Sequence, residues 1–195
     1  MTRMTLFRRR LLPLVLVLAT LPSLAQAQLM PLLGGQRAGI SSLQFLKIGA
    51  GARAVGMGEA FVAVADDASA LQYNPAGLVQ FEGHQAMFSH TSWLVELQHE
   101  FVGVVYRLSP GDALGVSFVS LHTDDMEVTT ETQPFGTGRY FSYGDVALGL
   151  SYARKLTEQF SFGATVRYVE ETIDVLKTRA FMIDLGTHYR TGLGS

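Results

Sequence analysis

Six stretches of this chain alternate residue by residue between bulky apolar side chains and small or polar ones, and that period of two most restricts its fold. In Val102, Val104, Tyr106 and Leu108 the bulky residues share one face, with Phe101, Gly103, Val105 and Arg107 on the other. Leu114, Val116 and Phe118 are backed by Gly115 and Ser117. Val146, Leu148, Leu150 and Tyr152 are backed by Ala147, Gly149, Ser151 and Ala153. Phe160, Phe162, Ala164, Val166 and Tyr168 are backed by Ser161, Gly163, Thr165 and Arg167. Phe181, Ile183 and Leu185 are backed by Met182, Asp184, Gly186 and His188, and a weaker alternation runs from His84 to Thr91.

Alternation alone gives each strand one apolar and one non-apolar face. A soluble sandwich would bury the apolar face and dress the other in Lys, Glu and Thr. Here the second face is small and sparsely charged, yet carries Arg167, Asp184 and His188 near strand middles, which suits a crowded polar interior. Tyr106, Tyr152, Tyr168 and Tyr189 lie toward strand ends on the apolar face, where the aromatic girdles of membrane barrels belong. The links at Ser109 to Gly111, Lys155 to Glu158 and Thr191 to Gly194 are short, while those at Thr123 to Gly138 and Glu171 to Thr178 are longer. Short and long alternate, which puts the tight turns on one side of the sheet. The pattern predicts an all-β, antiparallel up-and-down transmembrane barrel over residues 81–195. The soluble β-domain is the alternative.

The first residues read as an address. Arg3, Arg8, Arg9 and Arg10 form a basic region, Leu11 to Leu24 an apolar one, and Ala25-Gln26-Ala27 a cleavage site, so residues 1–27 are expected to be a signal peptide. The apolar run is shorter than a membrane helix needs and is broken by Pro13 and Pro22. The Arg8-Arg9 pair admits a twin-arginine signal, but a barrel that crosses unfolded favours the general secretory route. Losing four of 15 basic residues and no acid leaves 11 against 17, a net charge of about −6. No basic patch remains for nucleic acid. The absence of cysteine rules out a disulfide framework and a thiolate nucleophile.

Between these parts, Phe45 to Leu78 carries an ordered series: Gly-Ala-Arg-Ala at 51–54, Gly-Met-Gly-Glu-Ala at 56–60, Asp-Asp-Ala-Ser-Ala at 66–70 and Asn-Pro-Ala-Gly at 74–77. The series resembles the N-terminal signature of the PorV/PorQ family of bacterial outer-membrane proteins, which look like distant relatives of FadL-type barrels. The resemblance implies a cell outer-membrane location and marks Arg53, Gly56, Gly58, Asp66, Asp67, Asn74, Pro75 and Gly77 as signature positions.

Physically, Asp66 or Asp67 can cap a short helix over Ala68 to Tyr73. Pro75 should end that helix at Asn74, and Gly77 should free the backbone to turn toward the first strand. The glycines at 49, 51, 56 and 58 suggest close packing or sharp bends. Residues 28–80 therefore read as a plug or cap that starts the barrel, or, by analogy with FadL, as part of a ligand gate. Arg167, Asp184 and His188, inward by parity, form either a charge-compensated lumen network or the lining of a conduit.

Other motifs carry little. Gly49-x-Gly51-x-x-Ala54 lacks the strand and βαβ unit of a dinucleotide site. Asp66-Asp67 and Asp124-Asp125 lack the alternating spacing of a calcium loop. The five histidines show no zinc spacing. With no G-x-S-x-G and no other catalytic constellation, the expectation is a protein that is not an enzyme and holds no cofactor and no metal.

Six strands cannot close a bacterial barrel, for which eight is the usual minimum, and open edges in lipid leave backbone groups unpaired. The sequence is therefore expected to be an N-terminal fragment of a longer barrel, a short protein completed by oligomerisation being the rival. Two functions compete: a FadL-like conduit for hydrophobic or small solutes, with outer-membrane lipid around it, and a type IX secretion component that handles secreted cargo proteins. A soluble periplasmic β-domain comes third.

Overall fold

The computed structural model describes residues 42–93 and 96–191. The expected signal peptide, the first part of the plug segment and most of the turn at Thr191 to Gly194 lie outside the described residues. The dominant element is one six-stranded antiparallel sheet of consecutive neighbours. Its strands are β1 (Gln85–Ser92), β2 (Gln98–Ser109), β3 (Asp112–His122), β6 (Tyr143–Lys155), β7 (Phe160–Ile173) and β8 (Leu176–Tyr189). A small hairpin of β4 (Met126–Glu127) and β5 (Tyr140–Phe141) is set into the β3–β6 connection. Among the described residues the sheet is not closed, and β1 and β8 are its edges.

The register makes the period of two into continuous rows. Phe88, Val102, Phe118, Leu148, Tyr168 and Phe181 are directly opposite one another across all six strands. One step along, Ala86, Val104, Val116, Leu150, Val166 and Ile183 form the next row. These greasy rows are exposed, Phe181 at 77% and Ile183 at 72%, and no second sheet covers them among the described residues. A sandwich would bury them, whereas here they are left exposed.

The opposite face is covered. Gly103, Gly115, Ser117, Ala147, Gly149, Ser151, Gly163 and Thr165 carry too little side chain to fill an interior, and the N-terminal segment fills it instead. That segment contains a 3₁₀ turn (Gln44–Lys47), a helical turn (Ala52–Gly56), a second helical turn (Ala70–Tyr73) and a further 3₁₀ turn (Pro75–Val79). Phe45, Phe61, Leu71 and Leu78 are buried with Phe101, Val105, Val119 and Val169 of the sheet in one core. At roughly 1.5–3 kcal/mol for each large apolar side chain removed from water, this core holds plug and wall together.

Polar residues bound the greasy rows at both ends. Above them on the same outward face come Glu100, Ser120, Glu170 and Arg179, in register with Val146 as the one apolar member of the row. His90 and His122 flank Glu100 at 3.2 and 3.3 Å, and Lys177 and Arg179 hold Glu170 at 3.3 and 2.8 Å. Below, Asp112 faces Arg154 at 3.5 Å and accepts from the Tyr152 hydroxyl at 2.6 Å. Tyr168, in the upper greasy row, reaches its hydroxyl to Glu170 at 3.1 Å.

The loop reading holds in part. The tight connections at Ser109–Asp112 and Lys155–Phe160 share one end, and the long β3–β6 connection lies at the other. The stretch from Glu171 to Thr178, expected as a long loop, is instead mostly strand: β7 and β8 pair out to Ile173 and Leu176 across a two-residue turn. Asp174 there adopts φ 53°, a left-handed conformation that Asp tolerates better than most residues.

Candidate functional site

The signature segment is built around Asn74 and Pro75. Pro75 keeps Asn74 extended at φ −157°, and this ends the Ala70–Tyr73 helical turn where expected. The Asn74 side chain then makes three bonds. Its Oδ1 accepts from Ala76 N at 3.1 Å, capping the next 3₁₀ turn, while Nδ2 donates to Val62 O at 2.9 Å and to Thr187 O of β8 at 3.1 Å. One amide thus ties two stretches of plug to the wall.

The wall opposite is cut to receive this corner. Gly163 of β7 and Gly186 of β8 are directly opposite in register and face inward. A Cβ on Gly163 would strike the backbone of Pro75 and Ala76, and one on Gly186 would strike Asn74 Oδ1 and the Pro75 ring. Beside them the Ser161 hydroxyl donates to Ala76 O at 3.0 Å and accepts from Gln80 Nε2 at 2.9 Å. Gly103 and Gly115 leave room in the same way for Leu71. The sequence reading missed Ser161, Gly163 and Gly186 as partners of the signature. Inward parity marks them, but only the register puts the two glycines beside the proline.

Arg167 and Asp184 are brought together and Arg167 is fully engaged. Its Nε donates to Asp184 at 2.6 Å, Nη1 to Gln72 Oε1 at 2.9 Å and Nη2 to Leu71 O at 2.9 Å. The Arg167 side chain is 7% exposed and Asp184 37%. Leu71 and Gln72 end a helical turn with unsatisfied carbonyls, so the guanidinium supplies the donors those carbonyls lack. His188 Nε2 donates to Ala63 O at 3.0 Å, away from that pair. A cleft of about 690 Å³ adjoins Arg167 and Asp184, lined also by Leu43, Leu46, Gln72 and Tyr73.

Arg53, Asp66 and Asp67 form a second cluster at the plug surface. Arg53 Nη1 reaches Asp66 at 2.5 Å and Asp67 at 3.1 Å, and its guanidinium lies 5.2 Å above the buried Phe61 ring. The bond from Arg53 holds the Asp66 carboxyl below its ordinary value, and the same bond raises Arg53. Burial, then the charge of Glu59, pushes the Tyr73 hydroxyl up. The capping reading is refined here. The helical turn starts at Ala70 rather than Ala68, Asp67 Oδ1 accepts from Ser69 N at 2.8 Å just ahead of it, and Asp66 is taken by Arg53.

The signature glycines divide. Gly77 does not act through unusual backbone freedom: it sits in a 3₁₀ turn, where a Cβ would collide with Ala65 O and Cβ. Gly58 has φ +65° and Gly51 φ +86°, so these two make the bends, and Gly49 is packed against Glu59 and Tyr73. Gly56 has open space around it and an ordinary helical backbone, so neither close packing nor a bend explains it.

Chemically, this arrangement fastens and shuts. The Arg167, Asn74 and Ser161 donors are each matched by an acceptor. Among the described residues no three His, Cys, Asp or Glu side chains gather to hold a metal. A protein-family model described as type IX secretion system protein PorV matches residues 34–192, which include the whole signature and all six long strands. No individually curated protein matches the chain.

Proposed function

We propose that this chain, which belongs to the PorV family of type IX secretion system proteins, forms a plugged outer-membrane wall that serves secretion by engaging cargo proteins and not by conducting solutes. The observation that carries this is the inverted burial of the sheet, with greasy rows outward and small residues packed on the plug.

The outward rows suit acyl chains. From Val146 to Arg154, the rows at either end, strand β6 rises through eight residue steps. That is about 27 Å at ~3.4 Å per residue, or about 21 Å of height at a tilt of ~40°, close to the ~25 Å apolar band of outer-membrane barrels. The Ser109–Asp112 and Lys155–Phe160 turns then lie on the periplasmic side, and the long β3–β6 connection and the tight β7–β8 turn outside.

The seated plug favours the secretion reading over the solute conduit. Asn74, Pro75, Ser161 and Arg167 fasten it to β7 and β8 through backbone and side chain alike. Displacing it would break several bonds at roughly 1 kcal/mol each, more for the charged ones. Work at the outer surface needs no such displacement.

Deleting the gene and following cargo tests this. Secreted proteins should accumulate inside the envelope, and the wild-type chain should restore their export from the membrane fraction. Normal cargo export in the deletion strain overturns the secretion role. Recovery of the protein in the soluble periplasm overturns the membrane wall.

A further inference from the structure

Strand β6 leaves a gap in the outward face just above the greasy rows. His122, Gly144, Thr172 and Lys177 stand in one register row across the ladder, and Gly144 alone brings no side chain to it. Packing does not require that glycine, since a Cβ there would meet no atom within 4 Å. The gap is a recess of about 370 Å³ over β3, β6 and β7, away from both edges of the sheet. Ser120, His122, Ser142, Glu170 and Thr172 line it with polar groups, and Val146 adds an apolar contact. One row below, Phe118, Leu148 and Tyr168 begin the greasy band.

The charges beside the recess are unequal. Lys177 and Arg179, both more than half exposed, stand opposite Thr172 and Glu170 and share the single Glu170 carboxylate. The Tyr168 hydroxyl donates to that carboxylate as well, so Glu170 is met and one positive charge is left over. Among the described residues neither cation pairs with another carboxylate. Asp145, next along β6, is fully buried on the inward side of the sheet.

Hydroxyls and a carboxylate suit the hydroxyls of a sugar, and cations at a membrane surface suit a lipid phosphate. We propose that this recess seats the headgroup of an outer-leaflet lipid, a phosphorylated sugar, with the acyl chains lying along the rows of Leu148 and Leu150. Ser120, Ser142 and Thr172 meet the sugar, and Lys177 with Arg179 meets the phosphate. Val146, the apolar member of its row, then lies where sugar gives way to acyl chain. The inference rests on the membrane wall argued above, with the long β3–β6 connection outside. A free phosphate gains none of the apolar contact, so it is a poor substitute.

Lipid A, a phosphorylated glycolipid, is the probe. The full chain in detergent micelles is titrated with it, and retained lipid is counted by native mass spectrometry. Lipid A should bind saturably. Its dephosphorylated form, and phosphatidylglycerol with its phosphate but no sugar, should each bind roughly tenfold more weakly. Inorganic phosphate should not displace it. Gly144→Phe fills the recess without removing a charge and should weaken binding roughly tenfold, as should Lys177→Gln combined with Arg179→Gln. Arg154→Gln removes a cation from the lower end of the same face and should change nothing. Equal binding of the three lipids, displacement by phosphate, or undiminished binding in whichever of the two recess variants folds overturns the proposal. Flotation with phosphatidylcholine vesicles separates it from its premise. A chain that floats yet ignores lipid A defeats the headgroup site alone, whereas one left in the soluble fraction defeats the wall as well.

Discussion

Replacing Gly163 with alanine adds one methyl group at the point where the wall touches the plug. That Cβ would collide with the carbonyl carbon and oxygen of Pro75 and with Ala76 N. These are backbone atoms, held on one side by Asn74 and on the other by Ser161, so no side chain can swing aside. Overpacking of a rigid interior costs about 1–3 kcal/mol, and the entropy gained by removing a glycine returns about 0.4–1 kcal/mol. The net expectation is a loss of about 1–2 kcal/mol, a factor of roughly 5–30 in the folded population. Gly56→Ala is the control, because open space surrounds it in a helical turn, and it should be neutral or stabilising by up to about 1 kcal/mol. Gly115→Ala should fall between the two, since its Cβ meets the movable end of Leu71. Urea unfolding in micelles measures all three, and limited proteolysis of residues 42–80 reports whether the plug has left its seat. Equal stability of Gly163→Ala and Gly56→Ala, with the plug still protected, would refute the seat.

Other outcomes follow from the same structure. Arg167→Ala should cost about 2–4 kcal/mol in urea unfolding, because it strands Asp184 and leaves the Leu71 carbonyl unmet; Arg167→Lys should recover only part of it, lacking the fork of donors. Leu148→Arg, in the middle of the outward band, should destabilise the protein by about 2–4 kcal/mol in lipid, and Val146→Arg at its upper polar edge by about 0–1 kcal/mol. Equal effects at the two depths would contradict the placement of lipid. The Arg53 cluster gives a pH signature. Asp66 titrates below its unfolded value, so the unfolded chain binds more protons between the two values and stability rises with pH in that window. That contribution is complete above pH ~4 and is lost as pH falls through the native value; Arg53→Ala should flatten this acid limb in unfolding curves taken across it.

The strands and their two faces were legible because exposure on one side and the plug on the other match the two halves of one alternation. Rows such as Val102, Phe118 and Leu148 can be read from parity once outward is known. The β7–β8 extension was not legible. Beyond Glu170 the strands leave the apolar band, so Thr172, Lys177 and Thr178 obey no greasy period and look like loop. The β4–β5 hairpin escaped for the same reason. Within the site, Asn74 and Pro75 announced a helix end, and the structure keeps that. What they could not announce was their counterpart on two later strands, Gly163 and Gly186, since a glycine pair opposite a proline is a fact of register. Arg167 with Asp184 was visible as two charges on inward positions, whereas its hold on Leu71 and Gln72 required the plug in place.

The glycine-rich inner face also bears on how the protein is made. A bare sheet of small residues has little reason to curl in a particular sense, and its greasy back would as readily stack on a neighbour's. The segment that gives it something to wrap is translated ahead of every strand. Synthesis order thus supplies a mandrel before the cloth, and variants that loosen the Pro75 corner should reveal themselves first as slow or misdirected insertion, even where the finished molecule survives.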